Sequence, residues 1–208
     1  MLTLEEGRFL VKLARSTVDG YLKGKSPEID KSKLTPNLLE KRGVFTTIYK
    51  VSRRRKELRG CIGYPYPIKP LYEAVMDTAV ESAFHDPRFS PLRKEELNEV
   101  VFEISILSPF EKIEVKSPLE YPEKIVIGRD GLMLKYGVYS GLLLPQVPVE
   151  YNWSAEEYLM HLAMKAGLPP DGWLIKGVEI YKFTAQIFVE KSPNGEVVEE
   201  KIYQEVEK

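Results

Sequence analysis

The stretch Glu99–Leu107, EVVFEISIL, constrains the fold more than any other part of the chain. Phe102, Ile104 and Ile106 fall on one face of an extended backbone, and Val101, Glu103, Ser105 and Leu107 on the other. β-Branched and aromatic residues dominate it, and neither Gly nor Pro interrupts it, so it reads as a strand. Two further runs have the same texture. Gly43–Val51 (GVFTTIYKV) is one. Lys176–Val189 is the other, with Tyr181, Phe183, Ala185, Ile187 and Val189 on one face. Ser52–Glu57 is a basic turn, and Leu58–Gly63 (LRGCIG) follows it, so Gly43–Val51 and LRGCIG are expected to form an antiparallel hairpin.

Helical spacing separates these runs. Thr3 and Glu6 form a capping box ahead of Phe9, Leu10, Leu13, Ala14 and Val18, which predicts a helix over about Leu4 to Leu22. Pro70 can open a helix carrying Leu71, Val75, Ala79 and Ala83, which stops before His85-Asp86-Pro87. Ser90-Pro91 predicts a short helix through Leu97. Ser154 and Glu157 make a second capping box, and the helix behind them ends at Gly167. Between Pro109 and Pro148, short strand-like runs (Lys112–Val115, Ile125–Ile127, Leu132–Tyr136, Val138–Leu144) are cut by Pro and Gly, with a turn at Arg129-Asp130-Gly131. The charged tail after Glu190 is expected to extend outward. Hairpin signals outnumber βαβ crossovers, so the predicted class is α+β: a mostly antiparallel sheet flanked by helices, with a smaller β-rich lobe inserted at about residues 110–150 of a single domain.

Composition narrows the function. A chain of 208 residues buries a core without staples, and a net charge of −1 gives no global attraction to nucleic acid or membrane. The single cysteine forms no internal disulfide and favours a reducing compartment. No signal peptide opens the chain and no apolar run spans a bilayer, so a cytoplasmic location is expected.

Cys61 is the first chemical candidate. An unpaired cysteine is ordinarily a small core hydrophobe. The functional alternative is a thiolate whose pKa a nearby cation depresses. Regular alternation would put Arg59 beside Cys61 on one face, with a gap at Gly63, and leave Leu58, Gly60, Ile62 and Tyr64 on the other. Arginine cannot act as the base. His85, next to Asp86, is the candidate for that role, set against a plainer reading in which His85 and Asp86 end the helix and Asp86 contacts Arg88 within the turn. His161 is expected at the solvent boundary of its helix. Glu103 in an apolar strand is either a general acid or base with a raised pKa or a structural ion pair with Arg59 or Arg88. One cysteine and two histidines match no zinc spacing. The run Arg53–Lys56 is a solvated hairpin tip or, less favoured, an RNA patch.

LRGCIG and the stretches around it (GVFTTIYK, ESAFHDPRFSPLRKEEL, EISILSPFEKI, GLLLPQVPVEYNW) resemble the domain family named after the Alport syndrome, midface hypoplasia and elliptocytosis chromosomal region. The resemblance spans nearly the whole chain. It implies a compact α+β fold with a second, smaller lobe, and Memo-type or radical-SAM proteins as candidate partners. It implies no particular reaction and no cofactor. Its motif positions are Leu58, Arg59, Gly60, Cys61, Ile62, Gly63, Asp86, Arg88, Phe89, Pro145 and Trp153. Arg59, Gly60, Gly63, Arg88 and Trp153 are therefore candidate substrate contacts, and Cys61, His85, Asp86 and Glu103 candidate catalytic groups. The first functional expectation is a small-molecule or modified-substrate site between the main sheet and the smaller lobe. The alternative is a non-catalytic binding or adaptor domain in which LRGCIG is a packing device.

Overall fold

The computed structural model describes residues 1–25, 27, 29–52 and 55–203. Along the chain run α1 (Leu4–Leu22), α2 (Pro36–Leu39), β1 (Val44–Ser52), β2 (Arg55–Tyr64), α3 (Leu71–Val80), β3 (Val100–Leu107), β4 (Glu111–Lys112), β5 (Gly131–Tyr136), β6 (Tyr139–Leu143), α4 (Val147–Glu150), α5 (Ala155–Lys165), β7 (Glu179–Phe183), β8 (Ala185–Glu190) and β9 (Val197–Glu200). The class is α+β, and the capping boxes at Thr3/Glu6 and Ser154/Glu157 are both formed.

Two compact units divide the chain. The first is Met1–Leu107 with Gln186–Glu200. Its five-stranded sheet has the order β2-β1-β3-β8-β9, so β2 is an edge strand. Val44 and Ile48 of β1 and Phe102, Ile104 and Ile106 of β3 pack with Leu10, Val11, Ala14 and Val18 of α1 and with Ala74, Val75 and Ala79 of α3. The opposite face carries Thr47, Glu103 and Ser105, all buried. Arg15 of α1 forms a buried ion pair with Glu190 of β8, at 2.7 Å from Nε to Oε1, and donates to the Val100 carbonyl at 2.7 Å; Glu190 also accepts the Phe102 N–H at 3.0 Å. Helix, β3 and β8 are thereby tied through one fully hydrogen-bonded charge pair.

The second unit comprises Ser108–Ala185 and the described residues from Lys201 onward. Its sheet runs β4-β7-β5-β6, with every pairing antiparallel. Leu132, Leu134 and Ile180 from the sheet pack with Tyr158, Leu159 and Leu162 of α5.

Four expectations change. The run Lys176–Val189 is two strands in two sheets, β7 and β8. The break is at Thr184, whose N–H donates to Ser108 Oγ at 2.9 Å and whose carbonyl accepts the Ser108 N–H at 2.9 Å. The tail after Glu190 turns back as β9 and pairs with β8, burying Val197. The helix expected from Ser90-Pro91 starts only at Lys94, as a 3-10 turn, because Leu92 is buried in the core and donates its N–H to the Ala83 carbonyl at 2.8 Å. Ile125–Ile127 is no strand, since the Asp130 carboxylate takes the Val126 N–H at 2.9 Å and closes a turn there. Arg53 and Arg54 of the basic run lie outside the described residues.

Candidate functional site

The LRGCIG strand is not a regular strand. Ile48 faces Gly60 and Tyr49 faces Leu58, which leaves Arg59 as the extra residue of a β-bulge. The expected alternation therefore fails at that point. Leu58 falls on the face of Cys61 rather than that of Gly60. The Arg59 guanidinium goes not to the thiol but to Glu96, with Nε to Oε1 at 2.9 Å and Nη2 to Oε2 at 3.2 Å. That bond first, against the opposing effect of burial, holds the Glu96 carboxyl at about 2. Arg59 Nη1 is buried and has no hydrogen-bond partner among the described residues.

Gly60 and Ile62 meet the end of α3. There Glu81–His85 forms a π-helical turn. A Cβ on Gly60 would stand 2.0 Å from the Ser82 carbonyl oxygen, so only glycine lets the turn lie on the strand. Ser82 Oγ accepts the Ile62 N–H at 2.8 Å and donates to the Thr46 carbonyl at 2.7 Å, bridging β1 and β2. Gly63 is hemmed in as well: a Cβ there would sit 2.3 Å from the Phe45 ring.

Cys61 presents its main-chain N–H and carbonyl to the free edge of the sheet, and one ion pair caps both. Asp86, 3% exposed, accepts the Cys61 N–H at 2.9 Å. Arg88 binds the same carboxylate through Nε (2.9 Å) and Nη2 (2.7 Å) and donates from Nη2 to the Cys61 carbonyl at 3.2 Å. Burial pushes the Asp86 carboxyl up. The hydrogen bonds from the Arg88 side chain, Cys61 N–H and Arg88 N–H outweigh it and bring the group to about 2. The plainer reading of Asp86 and Arg88, a local turn contact, is thus part of a larger device that seals an edge strand.

The thiol itself lies in a row across three strands. Thr47 faces Cys61 on one side and Glu103 on the other. Thr47 Oγ1 donates to Cys61 Sγ at 3.3 Å. Cys61 retains some exposed surface, but packing around Sγ raises the thiol above its ordinary value. The Thr47 hydrogen bond and the Arg88 charge oppose the rise, and the Glu103 and Asp86 charges add to it. The depression that the thiolate alternative requires is therefore reversed, because burial outweighs the nearby cation. Glu103, 3% exposed, stays in this row; of the arginines foreseen as its partner, Arg59 has gone to Glu96.

His85 does not join the group. Its Nδ1 lies 3.1 Å from Glu81 Oε1, one helical turn back and half-exposed. Trp153 belongs to the second unit, where it is stacked between His161 (3.8 Å) and Tyr151 (5.0 Å). Among the described residues no three of His, Cys, Asp and Glu gather as a metal site requires, and no helix is long and apolar enough to cross a membrane. Sequence reasoning missed Glu96 and Ser82, which lie 37 and 20 residues from their strand partners.

These features define an α+β domain whose signature strand is an edge strand sealed by the following helix and turn. The chain belongs to the AMMECR1 family, whose model matches residues 11–188. It is 56% identical to Protein MJ0810 of Methanocaldococcus jannaschii over 97% of this chain and 98% of that one. It is 51% identical to Protein MK0488 of Methanopyrus kandleri over 98% of each. The crystal structure of uncharacterized protein PH0010 from Pyrococcus horikoshii superposes with a TM-score of 0.89 at 50% identity, covering 95% of this chain and 97% of that one.

Proposed function

We propose that the protein is a non-catalytic binding domain in which LRGCIG and the Asp86–Arg88 turn form one structural lock, not a thiol active site. The observation that carries this is the capping of both main-chain groups of Cys61 by the Asp86–Arg88 pair. A nucleophilic thiol needs a base in reach and a lowered pKa. Here the histidine turns to Glu81 and burial raises the thiol. The test is alkylation of the native full chain by iodoacetamide as a function of pH. Reaction only above the ordinary thiol range, or only after unfolding, is expected; rapid reaction at pH 7 sinks the proposal. The partner classes to assay by calorimetry are Memo-type and radical-SAM proteins, with Cys61→Ala expected to bind as the parent does.

A second reading, a small-molecule site beside the same strand, draws on the unpartnered Arg59 Nη1. A buried guanidinium donor without an acceptor is costly, and a ligand oxygen would satisfy it. Arg59→Lys removes that donor. Under this reading the variant lowers affinity for a small oxygen-bearing ligand such as acetate; unchanged affinity, or none in either protein, rejects it.

A further inference from the structure

A cavity of about 220 Å³ opens in the second unit, and no residue of the LRGCIG strand lines it. The turn before β5 and the ends of β4 and β7 line it. Its chemistry is uneven. Asp130 lies on its wall, but both carboxylate oxygens are engaged: Arg129 binds them through Nε (2.7 Å) and Nη2 (2.9 Å), and the Val126 N–H donates to one at 2.9 Å. The pair fixes the Arg129 guanidinium on the wall and leaves little negative potential facing the cavity.

Lys182 has the weaker tether. It faces Leu132 in the β5–β7 register at the end of the apolar core, and its side chain is 27% exposed. Among the described residues one carboxylate is in reach of its ammonium, that of Glu111 at 3.8 Å, and Glu111 is 73% exposed. So loose and wet a pair contributes little and gives way readily to a better-placed anion. Phe183 supplies an apolar wall and Thr184 a hydroxyl. The volume lies below that of drug-sized pockets, which suits a small molecule.

We propose that this cavity binds a small oxyanion-bearing molecule, with its carboxylate or phosphate group between Lys182 and Arg129 and any short apolar portion against Phe183. The site is independent of the binding-domain reading above, since it shares no residue with the lock around Cys61.

The test is a nitrogen-15 NMR titration of the full chain at constant ionic strength, with inorganic phosphate in one arm and propionate in the other. Saturating shifts at the Arg129–Gly131 and Phe183–Thr184 amides are expected for at least one anion, and the better arm names the chemistry. Lys182→Met should weaken binding by about tenfold. Glu111→Gln, at an exposed position that leaves the fold intact, should tighten it about threefold by removing the competing carboxylate. Lys191→Met, at a surface pair in the first unit, should change nothing. Shifts that grow linearly without saturation in both arms overturn the proposal. So does an affinity that Glu111→Gln fails to raise, or that a folded Lys182→Met fails to lower.

Discussion

Asp86 and Asp130 are both almost wholly buried, and each is gripped through Nε and Nη2 by a loop arginine, Arg88 or Arg129. The third contact separates them. Asp86 reaches the Cys61 N–H, 25 residues back on another element, whereas Asp130 takes the Val126 N–H, four residues back in its own turn. The same side-chain chemistry thus fastens two elements in the first unit and only shapes a loop in the second. A buried ion pair is judged by what its remaining hydrogen bonds join.

The comparison can be broken most directly at the glycines next to each pair. Gly60→Ala would drive a Cβ into the Ser82 backbone at 2.0 Å, and neither strand nor turn can yield, so a loss of about 3 kcal/mol or more is expected in urea denaturation. Gly131→Ala meets the Phe183 ring at 2.3 Å, a side chain that can rotate, and should cost about half as much. Equal costs would erase the distinction between fastening and shaping.

Next come the aspartates. Asp86→Ala should cost about 3 kcal/mol and expose the β2 amides to hydrogen exchange. Asp130→Ala should cost about 1–2 kcal/mol, with faster exchange confined to the Val126–Gly131 turn. Faster exchange across the whole second sheet would contradict the local role.

Acid sharpens the same contrast. The Asp86 carboxyl falls from 3.8 to about 2 on folding, so its contribution is complete above pH 4 and disappears as the pH drops from about 4 to 2. The amount is on the order of 2 kcal/mol. Glu96, brought to about 2 by Arg59, adds to the loss in the same direction and window. Asp86→Asn should flatten that part of the stability–pH curve; an unchanged slope below pH 4 would show that the pair does not titrate as a folded-state group. Removing the arginine leaves a buried carboxylate without its cation, so Arg88→Ala should cost about as much as Asp86→Ala, and Arg129→Ala about as much as Asp130→Ala.

How much of this was legible depends on distance along the chain. Both capping boxes, the α1 limits and the β1–β2 hairpin rest on residues a few positions apart, and their local patterns decide them. The bulge at Arg59 was not legible. It arises because Gly60 must face Ser82 while Cys61 keeps its edge contacts, and the π turn that imposes this lies about twenty residues on. The break at Thr184 was equally hidden, since an unbroken alternation of apolar residues carries no mark of a change of sheet. The Arg15–Glu190 pair spans 175 residues, beyond any periodicity.

The sequence by itself determined the class of fold and the family, and it singled out Arg59, Cys61, Asp86 and Arg88 as motif residues. Period and capping are local properties, and a motif keeps its own order. Tertiary structure alone decided what those residues do. It turned Arg59 away from the thiol, set Asp86 and Arg88 on the open edge of β2, and buried Sγ beside Thr47. Burial and hydrogen-bond partners set the charge state of each group. They come from elements that the chain brings together only when it folds.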